Sequence, residues 1–505
     1  MLSAPRDLGS RGHPWVFQHT RTIAAVSTEA APAYARLGSR AVRNSLLVLG
    51  ARVVSRLVAL FTVVILANHL GDTRYGRYVT MVAYSALVSV LADFGLNTLY
   101  TREAARDPQR LTGYLANLLT GKAVLGLLAF VVFSVLLVIV GVGELAVPGG
   151  VLLVLTTYSA LLRNTFYALG RLEFEAIAIL GEIGIQAAGI IAGARLGADT
   201  PFFVWVYATS AAATALYSGI VIRAFGLAGI RLAFDLSFLW GWLRTALPFA
   251  VGFLLTNLYF RVDVPILQHF KPFREVGWYQ FAYKPFEALQ FVPLAVQTVV
   301  YPVLGVYHRQ NQELLRRAYQ QFFKVLVLLG WPLTVGTFLL VHPIGRLFRL
   351  FPESEPSLRI LALAIVFLFA NSAFTAMLYA IDRQDRFAWT TGIAVVVNVV
   401  LNLALIPLYG YLAASATTVI TEAAFSVAGW WFVARRHPLP WLRVSWRILL
   451  AGLLMGVVLY FLAARSIVIS APAGLIAYLA GLAVLRAVTP DELRQFAAGL
   501  RRPAA

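Results

Sequence analysis

The chain has 505 residues, of which 60% are hydrophobic and only 13% charged, and its mean hydropathy is +0.76. A soluble domain of this length would carry far more charge, so the composition excludes that class and predicts an all-α polytopic membrane protein. The absence of cysteine excludes disulfides, thiolate metal sites and thiol chemistry. The net charge of +19 would suggest nucleic acid in a soluble protein, but here a basic cytoplasmic side accounts for it without nucleic acid.

The N-terminal segment, residues 1–43, is polar and Arg-rich and lacks the apolar core and cleavage site of a signal peptide. We interpret it as a basic, mostly disordered cytoplasmic tail. Two roles remain open for this tail: a solvated extension, or an anchor on the membrane surface.

Apolar runs of about 20 residues recur along the chain and predict about fourteen transmembrane helices, called spans 1 to 14. Their expected bounds are 44–70, 75–100, 111–142, 149–170, 174–196, 201–224, 245–268, 277–306, 316–342, 357–381, 387–408, 411–434, 444–465 and 469–488. Basic residues are more than twofold enriched on the side of the two tails, which predicts a cell-membrane protein with both termini in the cytoplasm. The longest connections are expected at 225–244 and 343–357, and neither is long enough to fold alone.

A sequence echo relates spans 1 and 2 to spans 7 and 8. The stretch LANHLGDTRYGRY begins at Leu66, and LQHFKPFREVGWY begins 201 positions later at Leu267, which matches Gly76 to Gly277. Six spans separate the two copies, so both have the same orientation and the repeat is parallel, with its axis along the membrane normal.

This repeat predicts two six-helix lobes. The expected organisation is a tail at 1–43, an N-lobe at 44–224 (spans 1–6), a cytoplasmic linker at 225–244, a C-lobe at 245–435 (spans 7–12), and spans 13 and 14 with a C-terminal tail at 436–505.

Charged residues inside the spans mark candidate sites, because a charge in a bilayer needs a partner or a water-filled cavity. Arg52 and Arg56 lie on one face of span 1 at i,i+4 spacing. Their guanidinium groups suit a phosphate bound between them. Alternatively, Arg52 extends to the membrane surface and Arg56 pairs with a carboxylate, for which Asp93 of span 2 lies at a similar depth.

A second group of charges lies in spans 7 and 8. Lys284 and Glu287 share a face at i,i+3 spacing, whereas Arg261 and Asp263 point to different sides of their helix and cannot pair with each other. These residues form either an ion-pair network or the hydrated outer half of a cavity that contacts a polar substrate, and the two interpretations are compatible.

The remaining polar residues of the spans are more scattered. Lys122, Glu182 and Glu422 appear isolated in sequence, while Asn398 and Asn402 share a face, as in interhelical hydrogen bonding. The carboxylates are candidates for a coupling proton or cation or for structural ion pairs: Asp93, Asp263, Glu287, Glu182 and Glu422. No P-loop, HExxH or GxSxG motif is present, and no two histidines have metal-ligand spacing, so we expect neither a cofactor, a metal site nor an enzyme.

Several stretches resemble one known family in order and spacing. They are NHLGDTRYGRY, LADFGLNTLYTREAAR (Leu91–Arg106), ALPFAVGFLLTNLYFRVDVPIL (Ala246–Leu267), VGWYQFAYKPFEALQFVPLAVQTVVYPVL (Val276–Leu304) and NVVLNLALIPLYGYLAASATTVITEAAF (Asn398–Phe425). Over most of residues 44–435 the chain resembles polysaccharide-biosynthesis flippases, the Wzx-type O-antigen translocases of the multidrug/oligosaccharidyl-lipid/polysaccharide (MOP) exporter superfamily.

The resemblance implies a MATE-like fold with a central cavity and translocation of a lipid-linked oligosaccharide for lipopolysaccharide or related cell-surface polysaccharide. In such flippases, cationic residues of spans 1, 2, 7 and 8 line the cavity, which implies substrate binding by Arg52, Arg56, Arg261 and Lys284. Aromatic residues near the lobe interface would form sugar-binding walls: Tyr84, Tyr259, Tyr279, Tyr283 and Trp278. Trp278 and Tyr279 fit a membrane-interface belt better, which leaves Tyr283 as the substrate-binding candidate.

The resemblance also implies the lipid-linked oligosaccharide and the bilayer as partners, and it leaves room for proton or Na⁺ coupling and for polysaccharide-assembly proteins. Three alternatives remain: a lipid II flippase, a cation-coupled drug antiporter, and a membrane enzyme such as a glycan polymerase or glycosyltransferase. The enzyme alternative is disfavoured because such enzymes place catalytic residues in a large outer loop, which this sequence lacks.

Overall fold

The computed structural model describes residues 16–462 and 465–488, and the side chains of residue 44 and of residues from 47 onward. Within these residues every regular element is a helix. The first group comprises α1 (Val16–Asp93), α2 (Leu96–Arg106), α3 (Leu111–Ile139), α4 (Ala146–Ala168), α5 (Leu172–Leu196) and α6 (Thr200–Ala224), with 3-10 turns at Pro108–Arg110 and Gly143–Leu145. The second comprises α7 (Leu236–Arg261), α8 (Asp263–Phe270), α9 (Phe273–Leu289), α10 (Phe291–Gln310), α11 (Gln312–Leu339), α12 (Val341–Phe348), α13 (Ser354–Ala362), α14 (Ala364–Ala380) and α15 (Gln384–Ala434). The last two are α16 (Trp441–Leu462) and α17 (Ile467–Val484).

The number of membrane spans agrees with the sequence. Among the described residues, eleven helical segments are long and apolar enough to cross a membrane, and the bent pair α13–α14 makes twelve. Two of them, of 47 and 51 residues, are about 70 and 77 Å long, more than twice the hydrocarbon thickness of about 30 Å. Each is broken at a glycine with non-helical backbone angles, Gly71 in α1 and Gly410 in α15. Dividing both helices there gives the predicted fourteen.

Three boundaries differ from expectation. Helix α7 begins inside the predicted linker, because the Asp235 carboxylate accepts hydrogen bonds from the backbone N–H groups of Ser237 and Phe238 and caps the helix. The connection between the lobes is therefore residues 225–235. The predicted turn at 343–357 contains most of α12 and the start of α13, and α1 extends back to Val16, into the tail expected to be disordered; residues 1–15 lie outside the described residues.

The copies of the echo meet each other across the two lobes. A Cβ added to Gly76 would overlap the carbonyl of Phe273, and a Cβ added to Gly277 would overlap the carbonyl of Asp72. Phe273 lies 201 positions after Asp72, which is also the separation of Gly277 from Gly76. Each contact is thus the counterpart of the other, as in a two-fold symmetric interface.

Side chains repeat this symmetry. The Arg77 guanidinium lies 5.5 Å from the ring centroid of Phe273, and Trp278, the counterpart of Arg77, donates from its indole N–H to the Asp72 carboxylate at 3.1 Å. The duplication is confirmed as a structural repeat, and its two halves touch at one end of the bundle, here called the glycine end.

The opposite end, here called the linker end, contains the connection 225–235. Helices α9 and α10 run from the glycine end to the linker end, where α11 begins. Helices α16 and α17 pack against each other and against α11, so they form an appendage on the C-lobe.

Candidate functional site

The two arginines of α1 have different surroundings. Arg52 donates from Nη2 to the Tyr167 hydroxyl at 2.6 Å, and Tyr167 in turn donates to Glu175 at 3.2 Å. Both Arg52 and Arg56 are exposed, and no described carboxylate lies within ion-pair distance of Arg56. The alternative in which Arg56 pairs with Asp93 is therefore wrong, because the Asp93 carboxylate binds another cation.

That cation is Lys122 of α3. Its Nζ lies 2.7 Å from Oδ1 of Asp93, and the lysine side chain is completely buried. Asp93 ends α1, so this ion pair joins two helices of the N-lobe. The predicted isolation of Lys122 is wrong because the pairing depends on the packing of α3 beside α1, which residue spacing does not show.

Glu182 is paired as well. Arg163 of α4 contacts Glu175 at 2.6 Å and Glu182 at 2.8 Å, both on α5, so one guanidinium neutralises two carboxylates. Sequence reasoning missed Arg163 and Glu175. The sequence did contain a signal for this pairing, because an arginine inside the predicted span 149–170 needs a partner as much as any other charge in a membrane.

The C-lobe charges form a triad around Glu287. Arg261 contacts Oε1 of Glu287 at 2.8 Å, and Lys284 contacts Oε2 at 2.8 Å, so each carboxylate oxygen has one cation. All three side chains keep about a fifth of their surface exposed, in contrast to the sealed Lys122. As predicted, Arg261 does not pair with Asp263.

The positive charge of Arg56 also acts on the Glu287 carboxylate. Arg56 of the N-lobe and the C-lobe triad therefore belong to one electrostatic site where the lobes face each other. Three cations, Arg56, Arg261 and Lys284, act on the single carboxylate of Glu287, whereas Arg52 is bonded to Tyr167. This excess positive charge suits a multiply charged anion.

A cavity of about 190 Å³ adjoins the triad. Its lining contains aromatic, amide and hydroxyl groups together with two of the triad residues: Phe253, Thr256, Asn257, Phe260, Arg261, Tyr283, Glu287 and Gln290. The predicted substrate-binding residue Tyr283 thus lines a cavity beside the cationic site. Flat rings next to hydrogen-bonding groups are suited to a sugar.

The other two C-lobe carboxylates are held by neutral groups. Asp263 accepts hydrogen bonds from the Tyr279 hydroxyl and from the backbone N–H of Val264. Glu422 accepts from the Tyr259 hydroxyl at 2.8 Å and from the amide Nδ2 of Asn371 at 2.7 Å. Both carboxylates are buried. Asn371 was not among the predicted residues, although a polar amide inside the predicted span 357–381 was a usable signal.

Three of the aromatic residues singled out in the sequence lie where the two lobes meet or are buried inside the bundle. Tyr279 is fully buried, so its assignment to a membrane-interface belt is wrong, and Trp278 bridges the lobes. Tyr84 approaches Gln268 of the C-lobe, with 3.5 Å between hydroxyl and amide oxygens.

The asparagine pair of α15 forms the predicted hydrogen bonds. Asn402 donates to Asn398 at 2.9 Å, and Asn398 donates to Thr421 at 3.3 Å, which ties together the two halves of α15 on either side of Gly410. Among the described residues, no group of three or more His, Asp or Glu side chains could hold a metal ion.

Comparison with known proteins places this arrangement in a family. The family model described as polysaccharide biosynthesis protein matches residues 41–308, which is more than half of the chain, and the MatE model matches residues 248–404. No curated protein sequence matches the chain.

Solved structures share its fold. The lipid II flippase MurJ in an inward closed conformation superposes with a TM-score of 0.73 at 15% identity, covering 87% of this chain and 98% of that one. An inward-facing multidrug resistance MATE family transporter of the MOP superfamily gives a TM-score of 0.59 at 15% identity, covering 76% and 94%. A MOP superfamily transporter from Pyrococcus furiosus gives 0.52 at 15% identity, covering 85% and 97%. The chain therefore belongs to the polysaccharide biosynthesis protein family and is a multi-pass membrane protein with the flippase and transporter fold of the MOP superfamily.

Proposed function

We propose that this protein is a flippase that moves a lipid-linked oligosaccharide, a polyprenyl-pyrophosphate glycan, across the cytoplasmic membrane for synthesis of a cell-surface polysaccharide such as O-antigen. The observation that carries the proposal is the site where Arg56, Arg261 and Lys284 act on the single carboxylate of Glu287, with Arg52 one helical turn before Arg56 on the same face of α1. Pyrophosphate is a multiply charged anion whose oxygens accept hydrogen bonds from guanidinium groups in paired geometry. Both termini lie in the cytoplasm in this proposal.

Without substrate, Glu287 occupies the anion position between Arg261 and Lys284. Pyrophosphate enters from the linker end, engages Arg52 and Arg56, and then competes with Glu287 for the two C-lobe cations. The lobes rock about their two-fold axis and release the contact between Gly76 and Gly277. The glycan leaves on the outer side, while the lipid chain stays in the bilayer.

The carboxylates divide into two roles. Asp93, Glu182 and Glu287 act in ion pairs, since each contacts a cation at 2.8 Å or less. Asp263 and Glu422, which are held by neutral donors, are the sites for a coupling proton or Na⁺, because a carboxylate without a cationic partner gains most from binding one. The proposed function needs no cofactor and no catalytic step.

The test is export of the host polysaccharide in cells that carry Arg52→Ala together with Arg56→Ala. We expect export to fall by about 100-fold, from the loss of two charge-assisted phosphate contacts of roughly 1.5 kcal/mol each. Arg74→Ala is the control, because Arg74 also lies in α1, beyond the break at Gly71, is exposed and pairs with Asp199 at the surface. Unchanged export by the double variant at normal membrane abundance would refute the anion site.

A lipid II flippase is the second candidate, favoured by the TM-score of 0.73 with MurJ. Cells depleted of their own lipid II flippase distinguish the two: rescue of growth supports this candidate, and loss of polysaccharide export on deletion supports the first. Loss of dye resistance with normal glycan would instead indicate the drug antiporter.

A further inference from the structure

A chain of polar contacts runs through the N-lobe and ends at Arg52. Helices α4 and α5 are joined by a connection of only three residues and pack against each other, and α5 also packs against α1. Arg163 and Tyr167 lie four positions apart on α4, so they share one face of that helix. Glu175 lies on α5 and contacts both of them. The chain therefore links three helices of the lobe.

The inner part of this chain is an ion-pair network. Arg163 donates to both carboxylate oxygens of Glu175, from Nη2 at 2.6 Å and from Nε at 2.9 Å. Its Nη1 donates to Glu182 at 2.8 Å. A guanidinium that binds a carboxylate through two parallel hydrogen bonds holds it in a defined geometry. Glu175, which is only 2% exposed, is thus a fixed acceptor inside the lobe.

Tyr167 connects this buried pair to Arg52. Its hydroxyl donates to Oε1 of Glu175 at 3.2 Å and accepts from Nη2 of Arg52 at 2.6 Å. One hydroxyl can make both bonds because it has one donor and two acceptor positions. Exposure increases along the chain, from the buried Glu175 through the half-buried Tyr167 to the exposed Arg52. The fixed geometry of the ion pair is thus passed on to an exposed guanidinium.

The neutral charge of the connecting group matters. Arg163 contacts two carboxylates directly, so its positive charge is neutralised where it lies. Arg52 contacts a hydroxyl instead, which restrains the guanidinium without cancelling its charge. A guanidinium has five N–H groups, so one bond to Tyr167 leaves Arg52 able to bind an oxyanion. A flexible arginine loses conformational entropy when a ligand immobilises it, and a side chain that is already held avoids most of that loss.

We propose that Tyr167 is a positioning residue, which holds Arg52 in the orientation that binds phosphate oxygens. This inference rests on the proposed function, in which Arg52 and Arg56 bind the pyrophosphate of the lipid carrier. The two arginines are four residues apart, about 6 Å along α1, so both can reach one pyrophosphate when Arg52 is held in place. Tyr167 contacts the arginine and not the anion, so it acts on affinity only through Arg52.

The test measures binding of inorganic pyrophosphate to the purified full-length protein in nanodiscs, with Kd obtained by titration calorimetry. Tyr167→Phe should raise Kd by about 5-fold, because Arg52 is then ordered only when the anion binds. Arg52→Ala should raise Kd by about 10-fold through loss of one charge-assisted contact. The double variant should also show about 10-fold, and not the 50-fold expected for independent effects, because the hydroxyl has no arginine left to position.

Tyr158→Phe is the matched control. Tyr158 is nine positions before Tyr167 on α4, is also half-buried, and donates from its hydroxyl to the backbone carbonyl of Leu119 at 3.0 Å. This variant removes one bonded hydroxyl from the same helix and should leave Kd unchanged. Thermal unfolding shows whether each variant is folded. Tyr167→Leu, which lacks the same hydroxyl, takes the place of Tyr167→Phe if the phenylalanine variant does not fold.

Three results would overturn the positioning role while leaving the anion site intact, provided that Arg52→Ala weakens binding. The first is a native Kd in Tyr167→Phe, and the second is tighter binding in that variant, which would show that the hydroxyl keeps Arg52 away from the anion. The third is a 50-fold effect in the double variant, which would show that Tyr167 acts independently of Arg52. A native Kd in Arg52→Ala would instead refute both this role and the proposed part of Arg52 in transport.

Discussion

The two lobes share one backbone frame but treat their buried carboxylates differently. In the N-lobe, Asp93 is bonded to Lys122, and Glu175 and Glu182 are bonded to Arg163. In the C-lobe, Glu287 is bonded to Arg261 and Lys284, but Asp263 and Glu422 are held by neutral donors. A carboxylate neutralised by a fixed cation is suited to a structural role, whereas one held by neutral groups can still take up a proton or a cation. In the proposed mechanism, coupling therefore uses Asp263 and Glu422 of the C-lobe.

The largest expected effect tests the structural role of the N-lobe pair. Lys122→Met leaves Asp93 buried without its cation, which should destabilise the protein by about 3–5 kcal/mol. Thermal unfolding in detergent measures the change. Adding Asp93→Leu to the same chain should restore most of the stability, because no unpaired charge then remains. A single variant as stable as the native chain would contradict a structural role for this pair.

The next largest effect tests the reciprocal contact between the lobes at Gly76 and Gly277. Gly76→Ala and Gly277→Ala each place a Cβ against backbone of the other lobe, so each should cost about 1–3 kcal/mol through overpacking. Because the contacts are reciprocal, the two variants should lose similar stability in the state with the glycine end closed. Gly184→Ala, which has open space around the added Cβ, is the matched control in thermal unfolding. A large difference between Gly76→Ala and Gly277→Ala would break the two-fold symmetry inferred here.

The smallest expected effect on stability comes from a pair of variants that compares a C-lobe carboxylate with an N-lobe carboxylate in the proposed coupling. Glu422→Gln keeps an acceptor for Tyr259 and should change the free energy of unfolding by only about 1 kcal/mol, while transport loses its dependence on a proton or Na⁺ gradient. Glu182→Gln is the counterpart in the N-lobe and should leave that dependence intact, since Arg163 stays paired with Glu175. Transport into vesicles with and without an imposed gradient measures both. The same gradient dependence in Glu422→Gln and native protein would remove Glu422 from the coupling role.

The sequence predicted the number and type of the helices better than it predicted where each helix begins. Helix type, span number and the parallel repeat follow from apolar run length and from one echo, since bilayer thickness sets the length and an even number of spans sets the orientation. Helix ends were less predictable, as at α7, where the cap at Asp235 starts the helix inside the expected linker. Two further predictions were correct: Arg261 and Asp263 do not pair with each other, and the asparagines of α15 form hydrogen bonds. Both depend on the spacing of residues along one helix or along adjoining helices.

Pairing between distant segments was the part that the sequence did not show. Lys122 and Asp93 are 29 positions apart, and Tyr259 and Glu422 are 163 apart, so no local periodicity relates them. The sequence by itself determined that this is a duplicated helical membrane protein with cations in spans 1, 7 and 8. Only the tertiary structure decided which charges neutralise each other and which remain available, because a buried charge bonds to whatever group the packing of neighbouring helices brings within about 3 Å of it.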